Sequence, residues 1–367
     1  MNKNKFNKNY IIKAFCLAFS LCLLLSFCGC QKVNQIYDKV FFDFLGTTVY
    51  VELNISEFSF NNSKKAENCF NKISTCLTEI SNKFSTEKED SLVYKYNQLQ
   101  KGEFIEVDQT FKEVFLKAKE IYSLTGGAFN PAVKSLVDLW GFSKRHQQEN
   151  YLPCYNYDRN RNADGSFPLP NEEYITAFSS LANFSLCQLE ENRLIKNCDL
   201  VVVDNVSYLQ QIDLSGVVKG YATDKIKGII EECGYDSFYL SVGTSSMFLS
   251  KKTDNTPYTL GITDPQKVNG SPITTVSVEN KFVSTSGYYQ NYYRVNDLVY
   301  SHVINGETGY PVSDEIASVT VFCENGLLAD GYTTAVMVMG REKGENFLKT
   351  EGVDYILITR DGQIVSN

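Results

Sequence analysis

Apolar residues recur at helical spacing in several segments of the chain. Over residues 63–84, the apolar positions Phe70, Ile73, Leu77 and Ile80 follow one another at intervals of three and four, which predicts an amphipathic helix. Asp108 is a candidate N-cap for a second helix, which should end before Gly126. The pattern predicts helices at 63–84, 111–124, 172–181, 217–232, 327–339 and 342–350.

Shorter apolar runs bounded by turn residues predict β-strands. Residues 40–54 have the pattern of two strands joined by a bend at Gly46, and Asp361-Gly362 is typical of a final hairpin. Further strands are predicted at 184–189, 200–203, 209–214, 238–242, 258–262, 274–278, 289–295, 318–322 and 355–359. The polar, aperiodic stretch 146–170 predicts a long surface loop. Strands in antiparallel-looking runs with a few helices indicate an α+β fold rather than a doubly wound sheet.

The first 29 residues have the pattern of a targeting segment. Lysines precede an apolar stretch, 14–27, which is shorter than the ~20 residues of a comfortable membrane span. Cys30 follows this stretch as the lipidated cysteine of a bacterial lipoprotein does, and Cys28 is the alternative. We expect a signal peptide over 1–29, a lipidated N-terminus and linker over 30–39, and a lipid-anchored, extracytoplasmic protein. A secreted chain or an uncleaved anchor are the alternatives.

Charge and cysteine usage narrow the classes of partner. Loss of the leader, which holds four lysines and no acidic residue, would change the formal net charge from −8 to −12. Nucleic acid is therefore not an expected partner. An anionic substrate would have to be bound by a local positive group, such as a metal ion or a helix N-terminus. Two histidines and no Cys-x-x-Cys pair argue against a zinc site. The thiols are expected to be buried, although Cys187 and Cys198 could face each other across a hairpin.

Asp330 and Thr334 are candidate metal ligands. They are four residues apart in the predicted helix 327–339, so their side chains should share one face. Magnesium prefers hard oxygen ligands and completes its coordination shell with water and substrate phosphate. In the alternative interpretation, Asp330 caps the first helical turn and Thr334 bonds back to a carbonyl one turn earlier.

The segment from Asp213 to Asp224 is a candidate phosphate site. An apolar run ends at Asp213, and Ser215 and Gly216 open the next predicted helix. Free N–H groups at a helix start favour phosphate, and Lys219 would add a positive charge one turn later. The alternative is a capped helix with a solvated lysine.

His302 and a run of small residues are weaker candidates. His302 precedes a tight turn at 305–309 and is a candidate general base, although a satisfied core histidine is the alternative. Residues 284–287, Ser-Thr-Ser-Gly, have the pattern of a turn that holds phosphate or ribose through backbone groups, or of an ordinary connector.

In this order, the segments around Asp213, His302 and Asp330 resemble the FAD:protein FMN transferase (ApbE-like) family. The other motifs of the resemblance are Leu45-Gly-Thr-Thr48, Phe84-Ser-Thr86, Gly126-Gly-Ala-Phe-Asn-Pro131, Leu139-Trp-Gly-Phe142, Gly261-Ile-Thr-Asp-Pro265 and Ser284-Thr-Ser-Gly287. The resemblance implies one two-lobed, T-fold-like catalytic domain over 40–367, with largely antiparallel sheets and flanking helices.

The resemblance also implies a reaction and a site. Such an enzyme uses Mg²⁺ to transfer the FMN moiety of FAD, its substrate, to a Ser or Thr hydroxyl in a flavinylation motif of an acceptor protein, and AMP leaves. Asp330, Thr334 and the main-chain carbonyl of Gly216 correspond to the metal ligands. His302 corresponds to the base that takes the hydroxyl proton, and Asp330 is the other catalytic residue that the resemblance implies. The residues implied as FAD contacts are Leu45, Glu87, Ala128, Phe129, Asn130, Asp213, Lys219 and His302.

The chain departs from the family pattern at several positions. Glu87 stands where many transferases have Tyr, Asn130 replaces a common Asp, and Phe84 replaces a common Met. Residues 241–245, Ser-Val-Gly-Thr-Ser, stand where Asn-x-Gly-Gly-Asp is usual, so a carboxylate and a glycine are lost near the cleft. Two alternatives therefore remain: Mg²⁺-dependent hydrolysis of FAD to FMN and AMP, and non-catalytic FAD binding.

Overall fold

In a computed structural model of the chain, the structure describes residues 35–56, 59, 61–142, 169–295, 298–312 and 315–367. The predicted leader with Cys28 and Cys30, and most of the predicted surface loop, lie outside the described residues. None of the helices described combines the length and apolar character needed to cross a bilayer.

All six helices predicted from periodicity are present, and their bounds agree to within a few residues. Asp108 caps the third helix as predicted, since its Oδ1 accepts a hydrogen bond from the N–H of Phe111 at 2.9 Å. Two short helices, α2 and α4, were not predicted. The helices are α1 (Asn62–Phe84), α2 (Leu92–Gln98), α3 (Gln109–Leu124), α4 (Lys134–Leu139), α5 (Glu172–Leu181), α6 (Ser215–Glu232), α7 (Gly326–Met339) and α8 (Arg341–Glu351).

An eight-stranded, fully antiparallel sheet forms the centre of the fold, with the strand order β1-β2-β8-β9-β12-β15-β16-β17. Its strands are β1 (Gln35–Phe44), β2 (Thr47–Ile55), β8 (Phe238–Val242), β9 (Ser246–Leu249), β12 (Lys281–Gly287), β15 (Ile316–Cys323), β16 (Asp354–Thr359) and β17 (Ile364–Ser366). The architecture is thus the predicted mixture of antiparallel sheets and flanking helices.

Smaller antiparallel sheets surround the central one. They are formed by β3 (Phe104–Glu106), β4 (Cys187–Glu190) and β5 (Arg193–Lys196), by β6 (Val201–Val203) and β7 (Val206–Tyr208), by β10 (Tyr258–Ile262) and β11 (Thr274–Val278), and by β13 (Tyr292–Val295) and β14 (Leu298–Ser301).

The two largest hydrophobic cores of the described residues are built from different elements. The larger core packs α1, α3, α6 and α7 against the central sheet. The second core lies around α4 and α5 and includes Trp140, whose indole N–H donates to the carbonyl of Gly309 at 2.7 Å.

Two sequence predictions of local structure were wrong. Residues 209–214 do not form a strand, because their backbone N–H groups bond to partners outside any sheet. The N–H of Ile212 donates to Asn97 Oδ1 at 2.8 Å, and that of Asp213 donates to the Pro131 carbonyl at 2.8 Å. Residues 284–287 are not a turn. They belong to β12 (Lys281–Gly287), where each pairs with a residue of β15 (Ile316–Cys323).

Cys187 and Cys198 do not face each other. Cys187 is opposite Lys196 in the β4–β5 hairpin, and both cysteines are buried free thiols. Burial raises the pKa of the Cys187 thiol to about 12, so this thiol is an inert part of the packing.

Helices α6 and α7 cross at a pair of glycines. A Cβ added at Gly220 would lie 2.0 Å from the carbonyl oxygen of Gly326, and a Cβ at Gly326 would lie 2.6 Å from the carbonyl oxygen of Gly220. Asp224 of α6 accepts hydrogen bonds from the N–H groups of Gly326 and Leu327, at 2.9 and 3.0 Å. This contact brings Gly220, in the second turn of α6, against Asp330, one turn into α7.

Candidate functional site

A cleft of about 250 Å³ lies between the two cores. Phe129 of the larger core and Ile304 of the second core both line it. The structure places nine of the predicted site residues in its lining: Ala128, Phe129, Asn130, Asp213, Gly216, Lys219, His302, Asp330 and Thr334. Residues from four separate stretches of the sequence therefore converge on one concave surface, which is the usual form of a ligand site.

Asp330 lies at the buried end of this lining, with 4 % of its surface exposed. Its Oδ1 accepts hydrogen bonds from the hydroxyls of Ser246 and Ser284, at 2.7 and 2.6 Å, and its Oδ2 accepts one from the N–H of Gly220 at 2.7 Å. Asp330 does not cap its helix, because Asn325 does so through Oδ1 and the N–H of Leu328 at 2.9 Å. Three donors therefore fix the orientation of the carboxylate.

Burial raises the pKa of Asp330, although Lys219 and the hydrogen bonds from Ser284, Ser246 and Gly220 act in the opposite direction. Within the described part of the chain, no Lys or Arg nitrogen lies within ion-pair distance of this carboxylate. A buried carboxylate without a cationic partner is costly. A bound cation would offset that cost.

The neighbouring oxygens fit a magnesium ion. The Thr334 hydroxyl lies 3.9 Å from the position that a Cβ on Gly216 would take, so it faces the first turn of α6. In a regular helix the N–H of Gly220 would bond to the Gly216 carbonyl. Here the N–H of Gly220 donates to Asp330. The Gly216 carbonyl can therefore share this donor at most. Carboxylate, hydroxyl and carbonyl oxygens together are the donor set of a hard cation.

A zinc-type site is not found in the described ranges, where no three His, Cys, Asp or Glu side chains cluster as metal ligands would. Thr334 also makes no back-bond of the kind considered from the sequence. It is the adjacent Thr333 whose hydroxyl donates to the Asp330 carbonyl, at 2.9 Å, and this leaves the Thr334 hydroxyl on the cleft side.

Lys219 is half-buried rather than solvated. Its ammonium donates to the hydroxyl of Ser245 at 2.9 Å. Ser245 is the last residue of the segment that departs from the family pattern, and the residue usual there is Asp. Since a hydroxyl carries no charge, the ammonium keeps its full positive charge for an anionic ligand.

His302 lines the cleft, half-buried, directly after β14 (Leu298–Ser301). Its Nδ1 lies 3.1 Å from the carbonyl oxygen of Asn291. A carbonyl can only accept, so this contact requires a proton on Nδ1 and leaves the lone pair of Nε2 as the proton acceptor. Burial is the main factor that lowers the pKa of His302, and Lys219 adds to the effect. The imidazole is therefore held neutral and oriented, as a general base needs.

Asn130 organises one wall of the cleft through its side chain. Its Oδ1 accepts from the N–H of Ala132 at 2.9 Å and its Nδ2 donates to the Ala182 carbonyl at 2.8 Å. The amide thus caps a single 3₁₀ turn, Pro131–Val133, that leads into α4. Phe129 beside it is buried, and its ring would lie 3.2 Å from a Cβ on Gly216.

Leu45 and Glu87 are not among the residues that line the cleft. Leu45 adopts a positive φ of 47° in the turn between β1 and β2. The carbonyl of Thr48, just after this turn, accepts from the N–H of Gly243 at 2.7 Å, so the turn lies beside the β8–β9 connection that carries Ser245. Glu87 is exposed, and its N–H donates to Ser85 Oγ at 3.1 Å.

Sequence reasoning missed Ser246, and it assigned Ser284 to a turn that binds through its backbone rather than to a contact with Asp330. Ser246 and Ser284 orient Asp330 from adjacent strands, since they are directly opposite each other in the β9–β12 pair. The signal in the sequence is weak. Ser284 shares its face of β12 with the apolar Phe282 and the polar Ser286, and the strand β12 itself was not predicted.

Comparison with known proteins identifies relatives over most of the chain. The model described as "ApbE family" matches residues 45–357. The FAD:protein FMN transferase of Escherichia coli K12 is 27 % identical over 306 residues, which cover 82 % of this chain and 79 % of the relative. The protein of the same name from Vibrio cholerae is 25 % identical over 342 residues, covering 93 % and 92 %.

Solved structures share the fold. The chain aligns with the Thermotoga maritima ApbE protein at a TM-score of 0.71 and 26 % identity, covering 91 % of this chain and 97 % of the other. With the apo flavinyl transferase ApbE of Pseudomonas stutzeri the TM-score is 0.72 at 24 % identity, with coverage of 91 % and 94 %.

Proposed function

Since the chain belongs to the ApbE family, we propose that it is a Mg²⁺-dependent FAD:protein FMN transferase. It would move the FMN moiety of FAD to a Ser or Thr hydroxyl of an acceptor protein and release AMP. Curated relatives that cover four-fifths or more of this chain carry the name of this activity. The observation that supports it most directly is the convergence of Asp330, Thr334, Gly216, Lys219 and His302 on one cleft.

Three oxygens would hold the magnesium ion: those of the Asp330 carboxylate, the Thr334 hydroxyl and the Gly216 carbonyl. Their donor chemistry supports this, and so does the burial of Asp330 without a cationic partner among the described residues. When bound, Mg²⁺ neutralises charge on the diphosphate and on the leaving phosphate. Ser246, Ser284 and the N–H of Gly220 keep the carboxylate in one orientation, so the site is formed before a ligand enters it.

Lys219 would bind the FAD diphosphate, because its ammonium is in the cleft wall and its protein partner is an uncharged hydroxyl. In phosphoryl transfer, positioning and charge neutralisation supply most of the catalysis. A fixed ammonium provides both.

His302 would act as the general base. The acceptor hydroxyl oxygen forms a bond to the phosphorus of the FMN half, and the bond from that phosphorus to the bridging oxygen breaks. AMP leaves with the electron pair, and the hydroxyl proton goes to His302 Nε2. The Asn291 carbonyl, which holds Nδ1–H at 3.1 Å, keeps Nε2 unprotonated and oriented for this step.

The same proposal places the enzyme outside the cytoplasm, anchored to the membrane through a lipid on Cys30. This part rests on the pattern of the N-terminal sequence alone: lysines, a short apolar stretch and a cysteine.

Incubation of the mature protein with FAD and MgCl₂ tests the activity, with and without an acceptor domain that carries a flavinylation motif. Mass spectrometry should find one covalent FMN on the acceptor, and AMP should appear in equal amount. Rapid AMP release without acceptor would instead favour hydrolysis of FAD. This alternative remains because Ser245 stands where the family usually has an Asp carboxylate. Bound FAD that stays intact under both conditions would contradict the proposal and indicate a flavin-binding protein.

A further inference from the structure

A buried lysine in the wall of the cleft has no part in the site described so far. Lys134 begins α4 (Lys134–Leu139), directly after the turn that Asn130 caps, and it lines the cleft with Val133 and Val137. Only 4 % of its surface is exposed, and its ammonium forms an ion pair with Asp138, one turn later and 2 % exposed. Asn130, Val133, Lys134 and Val137 all line the cleft.

A buried ion pair is a poor means of stabilising a helix, because the desolvation of two charges offsets most of their attraction. An apolar pair of similar volume would serve the packing as well or better. An ammonium has three N–H donors, and within the described part of the chain Lys134 donates to Asp138 alone. Two donors therefore remain for a ligand, since Lys134 lines the cleft.

The charges that line the cleft indicate what these donors bind. Two carboxylates, Asp213 and Asp330, and two ammonium groups, Lys134 and Lys219, line it. A diphosphate that enters this cleft meets two carboxylates in a protein whose overall charge is also negative, and Lys219 together with the proposed Mg²⁺ offsets that repulsion only in part. Because Lys134 is paired with Asp138, it adds no net charge, but its remaining N–H groups supply hydrogen-bond donors from a different helix.

We propose that Lys134, held in place by Asp138, is a substrate-binding residue that donates hydrogen bonds to a phosphate of the FAD diphosphate. This inference rests on the proposed function and extends it by one residue. Asp138 is a positioning residue, because it directs the ammonium without contact with the substrate.

The test must separate ligand binding from the cost of leaving one buried charge unpaired. The double variant Lys134→Met/Asp138→Asn removes both charges and keeps side chains of similar size. The matched control, Lys117→Met/Glu120→Gln, removes an ion pair on the surface of α3. For the full mature chain of each, we would measure the unfolding midpoint, the Kd for FAD, the Kd for inorganic pyrophosphate by competition without metal, and KM and kcat for transfer.

We expect the double variant to unfold within a few degrees of the wild type, with Kd and KM for FAD raised at least tenfold and kcat within about threefold. The Kd for pyrophosphate should rise in parallel, and the control should behave as wild type. FAD affinity within twofold of wild type would overturn the inference, and so would a loss for FAD without a loss for pyrophosphate. If the wild type neither binds FAD nor transfers FMN, the proposed function itself fails; if the wild type does both and the double variant matches it, only the role of Lys134 fails.

Discussion

The main-chain N–H of Gly220 donates a hydrogen bond to Asp330 Oδ2 at 2.7 Å. This bond joins α6, which carries Lys219, to α7, which carries Thr334. It forms only because the two helices touch at Gly220 and Gly326, where no side chain keeps the two backbones apart. The close approach of two helices therefore sets the position of the candidate metal ligand relative to the candidate phosphate-binding lysine.

Substitution of Gly220 by Ala should destabilise the protein and its site together. The added Cβ would lie 2.0 Å from the Gly326 carbonyl oxygen, and neither backbone can yield by rotating a side chain. Overpacking of this kind costs about 1–3 kcal/mol or more, which exceeds the ~0.5–1 kcal/mol that Ala gains over Gly inside a helix. Denaturant unfolding should show the loss, and transfer activity should fall with it.

Gly228→Ala is the matched control, since Gly228 is in the same helix and a Cβ there would meet nothing within 4 Å. This variant should be as stable as the wild type or slightly more so. Equal stability of the two variants would show that the crossing is not as tight as the structure has it.

The sequence predicted the six longer helices and the antiparallel character of the fold because these depend on local periodicity. It failed where tertiary partners decide the local structure. Residues 209–214 have the apolar pattern of a strand, but Asn97 and Pro131 satisfy their backbone instead. Residues 284–287 have the composition of a turn, and the neighbouring strands β9 and β15 hold them in the central sheet.

The site was predicted in a similar way. The spacing of Asp330 and Thr334 and the position of Lys219 could be read from the sequence, and the structure places all three in the cleft lining. The environment of Asp330 could not be predicted, because Ser246 and Ser284 are far from it in sequence, and the Ser-Thr-Ser-Gly motif at 284–287 indicated a turn rather than a strand that faces Asp330. Only the fold shows that a carboxylate with three donors lies beyond ion-pair distance of every lysine among the described residues.

Removal of the Thr334 hydroxyl should weaken magnesium binding and leave FAD binding without metal unchanged. Thr334→Val keeps the shape of the side chain and removes one oxygen ligand. Loss of even an outer-shell partner lowers metal affinity by roughly 10–100-fold, so the Mg²⁺ concentration for half-maximal transfer should rise by at least about tenfold. Thr334→Ser restores the oxygen and should retain most of the affinity. An unchanged Mg²⁺ requirement in the Val variant would remove Thr334 from the ligand set.

Loss of the Lys219 ammonium should reduce FAD affinity. A hydrogen bond to a charged group contributes about 1.5–3 kcal/mol, so Lys219→Met should raise the Kd for FAD by roughly 10- to 100-fold. Lys227→Met is the control from the same helix, where the lysine pairs with Glu231 at the surface at 2.7 Å. Isothermal titration calorimetry would compare the two. Similar affinities would mean that Lys219 bonds to Ser245 and does not reach the substrate.

The pH dependence of transfer should report on His302. Burial lowers its pKa below the usual 6.5, and a base with a lowered pKa loses its proton at a lower pH. The neutral, active imidazole should therefore persist as the pH falls through 6.5, and the acid limb of kcat should have its midpoint below that value. His302→Ala should reduce kcat by about 10²–10⁴-fold and remove this limb, while FAD remains bound. His146→Ala, which changes the other of the two histidines, is the control and should keep the wild-type profile. A pH–rate series with a fixed acceptor would measure both, and an acid limb that survives in His302→Ala would assign the base to another group.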